Sequence, residues 1–274
     1  MNKNTPPFQM TFLETNEYRR FAELCDACRR YHYIGICSGP PGVGKTFSAR
    51  QYAQWEHVER LLALKGAESP LRELVSSWQT VLYTPTVVCS PKQIEREIAA
   101  MQKWLRFYRE EALHAEQGDT EWVQLIPSVE EIDLFIVDEA DRLKLAGIEQ
   151  VRDIYDRHRT GLVLMGMPGL EKQLSRYPQL YSRVGFVHEF RHLDLEEVRT
   201  IVRQQWSRWG IVFQADTGSE MEVIAAMTRM TNGNFRLLHR LLTQIERIVQ
   251  INALRTVTKE VVEIARQQLV IGVS

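Results

Sequence analysis

The chain lacks a strong charge bias and contains little cysteine. Lysine and arginine total 34 and aspartate and glutamate total 35, so the formal net charge is −1. This balance excludes a globally basic nucleic-acid binder, although it is compatible with a local basic face. The chain has four cysteines and a polar N-terminus without an export segment, which excludes a secreted disulfide framework. No apolar run approaches the roughly 18 residues that span a bilayer, so we expect a cytoplasmic protein.

Three of the residues that can bind zinc lie close together near the N-terminus. Cys25, Cys28 and His32 form a C-x-x-C-x-x-x-H string. The same positions also fit the buried face of a helix, with Phe21 and Leu24 as neighbours. Because a fourth ligand at a suitable spacing is missing, we favour core packing over a zinc site.

Apolar patterns indicate strands alternating with helices as far as about His192, and helices alone afterwards. The predicted strands are 33–37, 80–88, 132–137, 162–165 and 187–190. The predicted helices are 17–30, 45–64, 90–116, 148–158, 196–209, 219–230, 234–251 and 258–270. This order predicts an α/β fold, a parallel sheet with flanking helices, followed by a small all-helical domain. We expect a leader with a first helix over residues 1–30, an α/β domain over 31–191 and a helical domain over 192–274.

The strongest motif is a glycine-rich loop between the first strand and the second helix. It matches the phosphate-binding pattern G-x-x-x-x-G-K-[ST], with these residues: Gly39, Pro40, Pro41, Gly42, Val43, Gly44, Lys45 and Thr46. Glycines let the backbone N–H groups point at phosphate oxygens, and the helix that follows adds its positive end. Lys45 is predicted to reach the β- and γ-phosphates and Thr46 to ligate Mg²⁺. Phe47, the next residue, is included in the ATP-binding segment.

A second motif follows the predicted strand over residues 132–137. Four apolar residues, 134–137, precede the carboxylates of Asp138 and Glu139. A central parallel strand is apolar on both faces, and ligands bind at the carboxyl ends of such strands. We therefore expect Asp138 to hold Mg²⁺ through a water molecule and Glu139 to act as the general base on the attacking water.

Together these motifs resemble those of the AAA+ ATPases, a P-loop NTPase family. The run Gly233-Asn234-Phe235-Arg236 looks like the sensor-2 motif of the helical lid, which implies that Arg236 reaches the γ-phosphate. Residues 178–183 resemble the arginine-finger segment, which implies that Arg183 acts on the ATP of a neighbouring subunit, with Arg176 as the nearby substitute. Surface roles are the alternatives for these arginines. The resemblance is imperfect at sensor 1, because Met167 stands where a polar residue is usual. We therefore expect slow hydrolysis, which suits a switch.

Within AAA+ proteins the layout resembles the transposition regulators of the MuB, TniB and TnsC type. The resembling stretches are 34–46, 134–141, 161–170, 178–183 and 233–236. The lid ends almost at the last residue, so we expect no further domain. The resemblance implies a protein that binds duplex DNA when loaded with ATP and assembles into a ring or helical filament. It would recruit or activate a transposase, with a target-selector protein as a second candidate partner.

The helix predicted to begin at Ser90, with Pro91 in its first turn and Gln93 completing a capping box, offers a surface for DNA. Its apolar stripe comprises Ile94, Ile98, Met101, Leu105 and Tyr108. Its basic stripe on the opposite face comprises Lys92, Arg96, Lys103 and Arg106. A second candidate cluster is Arg142 with Lys144, after the acidic pair. A solvated outer helix and ordinary surface cations are the alternatives.

Two other function classes share these motifs. A helicase loader or replication initiator would bind a replicative helicase and prefer single strands. A protein-remodelling or signalling ATPase would show no salt-sensitive binding to nucleic acid, and the near-zero net charge is compatible with this class.

Overall fold

A computed structural model describes residues 12–64, 79–117, 132–211 and 217–269. The chain forms two compact units. The sheet unit contains residues 17–39 and 45–190. The helical unit contains residues 191–274 together with residues 1–16 and 40–44. The segment 40–44, which lies within the phosphate-binding motif, therefore clusters with the helical unit.

The sheet unit is a five-stranded parallel sheet with flanking helices. Its strands are β1 (Ile34–Ser38), β2 (Thr80–Tyr83), β3 (Leu134–Val137), β4 (Gly161–Gly166) and β5 (Val184–Glu189). Its helices are α1 (Asn16–Tyr31), α2 (Lys45–Tyr52), α3 (Trp55–Leu64), α4 (Pro91–Gln117), α5 (Leu145–His158), α6 (Leu170–Leu174) and α7 (Pro178–Tyr181). The strand order is β2-β3-β4-β1-β5, and every pair is parallel. This confirms the predicted α/β fold.

The three central strands are mostly apolar, as is typical of a parallel sheet with helices covering both of its faces. In β3, all four residues are buried, and β4 is buried along its length. The edge strand β5 alternates between half-buried and exposed residues, so it lacks a continuous apolar run. It begins at Val184, three residues before the predicted start at Val187.

The cysteines of α1 belong to the core of the sheet unit. Cys25 and Cys28 have no exposed surface, and neither does Cys37 on β1. A Cβ atom added at Gly35 would lie 2.7 Å from the Cys28 Sγ atom, so α1 packs directly on β1. The core interpretation is confirmed for Cys25 and Cys28 and is wrong for His32, which lies beyond the end of α1 and is exposed. Among the described residues there is no group of His, Cys, Asp and Glu side chains that could hold a metal ion.

Two further predicted elements are wrong in their extent. The helix predicted over 45–64 is two helices, because Gln54 takes a left-handed conformation with φ of 48° between Tyr52 and Trp55. The strand predicted over 80–88 ends at Tyr83. Pro85 lacks the N–H group that a sheet requires, and Val87 and Val88 beyond it are 77% and 86% exposed.

The start of α4 has half of its predicted capping box. Ser90 Oγ accepts a hydrogen bond from the Gln93 backbone N–H at 3.2 Å, as predicted. The Gln93 side chain does not return to Ser90 and instead donates to Glu97 Oε1 at 2.9 Å. The reciprocal bond, in which the Gln93 side-chain oxygen accepts the Ser90 backbone N–H, is absent and was therefore predicted wrongly.

The helical unit contains the predicted C-terminal helices. They are α8 (Leu195–Arg208), α9 (Thr217–Thr231), α10 (Phe235–Asn252) and α11 (Lys259–Gln267). Their apolar faces form one core that includes Trp206, Leu238 and Ile245. Asp194 and Glu197 form a complete capping box at the start of α8. No helix in the described part of the chain is long and apolar enough to cross a membrane.

Candidate nucleotide-binding site

The glycine-rich segment joins the end of β1 at Ser38 to the start of α2 at Lys45. Gly42 and Gly44 have φ angles of 82° and 105°, in the left-handed region that favours glycine. This explains why the pattern requires glycine at these two positions. The first turn of α2 follows at once, so its N–H groups and the positive end of its dipole lie at the end of the loop.

Lys45 is bound to the loop that precedes it. Its Nζ atom donates a hydrogen bond to the carbonyl of Gly39 at 2.5 Å. The amine therefore lies back over the glycine-rich segment. This is the region where the sequence predicts the phosphates of a nucleotide.

The predicted Mg²⁺ ligands lie next to each other. Thr46 Oγ1 donates a hydrogen bond to Asp138 Oδ2 at 2.7 Å. Asp138 is 2% exposed, and its other oxygen, Oδ1, accepts the Glu139 backbone N–H at 2.9 Å. A hydroxyl and a carboxylate oxygen are hard donors of the kind that Mg²⁺ prefers. The two residues therefore fit the ion, which would replace the hydrogen bond between them.

Glu139, the predicted general base, has a left-handed backbone with φ of 51° and forms an ion pair with Arg142. Left-handed conformations are uncommon for residues other than glycine and cluster at functional sites. Arg142 Nη1 also donates to the carbonyl of Pro85 at 3.0 Å. Arg142, predicted as a DNA contact, therefore forms an ion pair with the predicted general base of its own chain.

Next to the sensor-1 position lies the Asp141 carboxylate, which the sequence reasoning did not single out. Met167 follows β4 and its side chain is 41% exposed. Its backbone N–H donates to Asp141 Oδ1 at 3.1 Å. A Cβ atom added at Gly166 would lie 2.4 Å from the same oxygen, so Asp141 packs against the end of β4. No sequence signal distinguishes Asp141 from an ordinary surface carboxylate.

The predicted arginine finger is paired within its own chain. Arg183 Nε donates to Asp156 Oδ1 at 2.8 Å, and Nη2 lies 3.2 Å from Oδ2. Its Nη1 atom donates to the carbonyl of Gln179. Asp156 also binds Arg152 at 2.6 Å. Arg176, the predicted substitute, is exposed.

In the helical unit the start of α10 contacts segment 40–44. The Asn234 side-chain amide donates to the carbonyl of Pro41 at 2.8 Å. The Arg236 backbone N–H donates to the carbonyl of Gly42 at 3.0 Å. The Arg236 side chain is exposed. Asn234 was not among the predicted site residues, although a Gly-Asn pair before a helix is a capping signal.

A family model for the AAA domain matches residues 28–174. The chain belongs to the AAA ATPase family. A protein from Staphylococcus aureus named "Potential ATP-binding protein" is 42% identical over 265 residues, which cover 96% of this chain and 97% of that protein. The match supports ATP binding and, in general terms, ATP hydrolysis by this AAA ATPase.

Solved structures with similar folds include a Holliday junction motor and a protein in complex with DNA. The Thermotoga maritima RuvB Holliday junction branch migration motor has a TM-score of 0.57 at 17% identity, covering 93% of this chain and 70% of that one. The Aeropyrum pernix ORC1 protein in complex with DNA has a TM-score of 0.53 at 18% identity, covering 92% and 64%. The ORC2 protein of the same organism has a TM-score of 0.56 at 14% identity, covering 95% and 70%. At these identities the likeness shows the fold.

On α4 of this AAA ATPase the two predicted stripes lie on opposite faces. Ile94, Ile98 and Leu105 are at most 2% exposed. All four predicted basic residues are exposed: Lys92, Arg96, Lys103 and Arg106. Met101 is half-buried, and the side chain of Tyr108 lies outside the described residues. The amphipathic arrangement is confirmed, and its role in DNA binding stays a prediction.

The first two acidic residues of α4, Glu95 and Glu97, are engaged elsewhere. Glu97 accepts a hydrogen bond from Tyr83 Oη at 2.9 Å, and Glu95 pairs with Arg157 at 3.3 Å. Burial, together with the bond to Glu97, raises the pKa of Tyr83, so its hydroxyl remains a donor. Arg157 therefore partly offsets the negative charge of Glu95 beside the basic stripe. Lys144, the other predicted DNA contact, is exposed directly before α5.

Proposed function

We propose that this AAA ATPase binds duplex DNA in its ATP-bound state, assembles on target DNA and recruits or activates a transposase. The observation that carries the DNA-binding part is the basic face of α4, whose four cations are exposed while the opposite face is buried. The transposase role rests on the resemblance of the sequence motifs to transposition regulators. RuvB and ORC1, which share the fold, support a DNA-related function.

The nucleotide chemistry follows from the paired side chains. Lys45 leaves the Gly39 carbonyl to contact the β- and γ-phosphates. Thr46 and Asp138 would hold Mg²⁺, which would offset phosphate charge when bound. Glu139 leaves Arg142 to orient and deprotonate the attacking water.

The expected rate of hydrolysis is low for two reasons. The Met167 side chain offers no polar atom to a water molecule, and Glu139 must first separate from Arg142. An ATP-bound state that persists suits a cytoplasmic switch that stays on DNA until a partner stimulates hydrolysis. Arg236 and Arg183 are proposed to contact the γ-phosphate, the first from the same chain and the second from a neighbouring subunit. A site completed by a neighbour requires an oligomer, which we propose to be a ring or a helical filament.

The DNA surface can be tested by charge reversal on α4. The double variant Arg96→Glu with Lys103→Glu should bind duplex DNA at least tenfold more weakly than the wild type in the presence of a non-hydrolysable ATP analogue. A plot of its log affinity against log salt concentration should be less steep, by about 0.9 in slope for each phosphate that the variant leaves without a cation. ATP hydrolysis without DNA should be unchanged, because neither residue belongs to the nucleotide site.

The matched control variant makes the same change in net charge at two exposed lysines that lie outside α4. Lys172→Glu with Lys259→Glu alters positions on α6 and α11 and leaves α4 unchanged. It should retain most of the DNA affinity. Equal losses in both double variants would show that net charge, and not the basic face of α4, determines binding.

A further inference from the structure

The start of α10 holds segment 40–44 through two hydrogen bonds that both end on carbonyl groups. Asn234 Nδ2 donates to the Pro41 carbonyl at 2.8 Å, and the Arg236 N–H donates to the Gly42 carbonyl at 3.0 Å. All of these residues lie in the helical unit. The two carbonyls belong to consecutive peptide groups of the glycine-rich loop.

Carbonyl orientation matters in a loop that binds anions through its backbone. Each peptide group carries its N–H and its C=O on opposite sides. N–H groups that converge on a phosphate therefore leave their carbonyls facing away, where they need other donors. The Asn234 amide and the Arg236 N–H supply two such donors. These two donors therefore bind the carbonyl side of the loop, opposite the N–H side that would face a phosphate.

The packing at Gly42 shows how closely Asn234 approaches the loop. A Cβ atom added at Gly42 would lie 2.5 Å from Asn234 Oδ1 and 3.1 Å from the Arg236 Cβ atom. A larger residue at Gly42 would therefore collide with Asn234, in addition to the strain of a φ of 82°. The glycine allows the loop and the start of α10 to meet.

Asn234 is itself fixed in one orientation. Its Oδ1 atom accepts the Leu237 N–H at 3.2 Å and so caps α10. The preceding residue, Gly233, accepts the Leu193 N–H at 2.8 Å, and a Cβ atom added there would lie 2.2 Å from the Leu193 carbonyl oxygen. The backbone is held at Gly233 and the Asn234 Oδ1 atom is bound to Leu237. The Asn234 Nδ2 group therefore points towards Pro41.

We propose that Asn234 is a positioning residue for nucleotide binding. Its side-chain amide holds the Pro41 carbonyl, so that the loop N–H groups stay turned towards the phosphates. This inference rests on the proposed ATP site of the glycine-rich loop. By linkage, a nucleotide that orders the loop also strengthens its bonds to the start of α10.

The two roles of Asn234 can be separated by substitution. Asn234→Ser keeps an oxygen that can cap α10 but is too short to reach Pro41, whereas Asn234→Ala removes both hydrogen bonds. Affinity for a non-hydrolysable ATP analogue with Mg²⁺ would be measured by calorimetry, and melting temperature by circular dichroism. We expect the serine variant to bind the analogue about three- to tenfold more weakly while its melting temperature stays close to that of the wild type.

A matched control variant lowers the stability of the helical unit at a different helix, α8. Asp194→Ala removes the cap of α8 without touching segment 40–44. It should lower the melting temperature and leave analogue affinity within about twofold of the wild type. In the wild type, hydrogen exchange of the peptide that contains the Arg236 amide should slow when the analogue binds. In Asn234→Ser this slowing should be smaller.

Three results distinguish the failure of this inference from the failure of the proposed function. If the wild type binds the analogue and Asn234→Ser binds it equally well, Asn234 is only a helix cap and the inference is overturned. The same conclusion follows if Asp194→Ala loses as much affinity as Asn234→Ser. If the wild type does not bind the analogue, the proposed ATP site is overturned, and the positioning role with it.

Discussion

Thr46 and Asp138 are 92 residues apart in the sequence and share a hydrogen bond of 2.7 Å. The strand order explains this contact. The strands β1 and β3 flank β4 in a parallel sheet, so the segments that follow them emerge at the same edge. Ligand sites of open α/β sheets lie at this edge. The pairing brings together the hydroxyl and carboxylate oxygens that the proposed Mg²⁺ site requires.

The Thr46 hydroxyl should determine the Mg²⁺ requirement of hydrolysis. Thr46→Val removes the oxygen but keeps a β-branched side chain of similar size, so we expect at least a tenfold fall in ATP hydrolysis and a higher Mg²⁺ concentration at half-maximal rate. Thr46→Ser restores the hydroxyl and should recover most of the activity. Steady-state rates across a Mg²⁺ titration provide the measurement. Equal rates in the valine variant and the wild type would remove Thr46 from the proposed metal site.

Replacing the proposed general base should separate ATP binding from hydrolysis. Glu139→Gln keeps the shape of the side chain and leaves Asp138 intact, so ATP should bind normally while hydrolysis falls about 10²- to 10⁴-fold. The variant should then remain on duplex DNA longer than the wild type in the presence of ATP. Dissociation rates from immobilised DNA would test this. Identical lifetimes would mean that hydrolysis does not drive release.

Arg183 should act on the ATP of a neighbouring subunit once its ion pair with Asp156 opens. This pair is about one-third exposed, so its contribution to stability is small, about 1 kcal/mol or less. Arg183→Ala should lower ATP hydrolysis at least about tenfold, since a finger arginine stabilises transferring charge. Asp156→Asn removes the partner and should retain activity.

Mixing two inactive variants gives a direct test of this action between subunits. Lys45→Ala should lose ATP binding but still present Arg183, and Arg183→Ala should bind ATP without presenting a finger. A mixture of the two should recover part of the wild-type hydrolysis rate. A mixture as inactive as its components would contradict an action of Arg183 between subunits.

The cysteines should differ sharply in reactivity. Burial raises the pKa of the Cys28 thiol to about 12 and the pKa values of Cys25 and Cys37 well above their ordinary range. Only a thiolate reacts with a disulfide reagent, so these three should be inert in the folded protein at pH 8. The partly exposed Cys89 should react alone. Thiol counts in native buffer and in denaturant would show one and then four; three fast native thiols would contradict the core assignment.

The sequence predicted the features that local chemistry determines. The apolar strands, the phosphate-binding pattern and the cap at Ser90 depend on nearby residues, and the structure contains all of them. The division into functional domains stays a prediction, and so do the roles of the site residues. The break at Gln54 was not predictable, because no glycine or proline marks its left-handed conformation.

Contacts between distant residues were also beyond the sequence. Asn234 and Pro41 are 193 residues apart, and nothing in either local pattern shows that they meet. The Glu139–Arg142 pair is close in sequence, but it depends on a left-handed turn after β3 that apolar periodicity does not reveal. Sequence reasoning therefore identified the chemical groups of the site and missed the bonds that position them.

The central claim is that ATP binding and duplex DNA binding are coupled in one protein. The most direct measurement is the affinity of the purified wild type for a duplex, with and without a non-hydrolysable ATP analogue, across a salt series. We predict tight binding only with the analogue, with affinity that falls steeply as salt rises. Preference for single strands would favour a helicase-loader role instead. Binding of the analogue without any salt-sensitive binding of DNA would contradict the claim and favour a protein-remodelling ATPase.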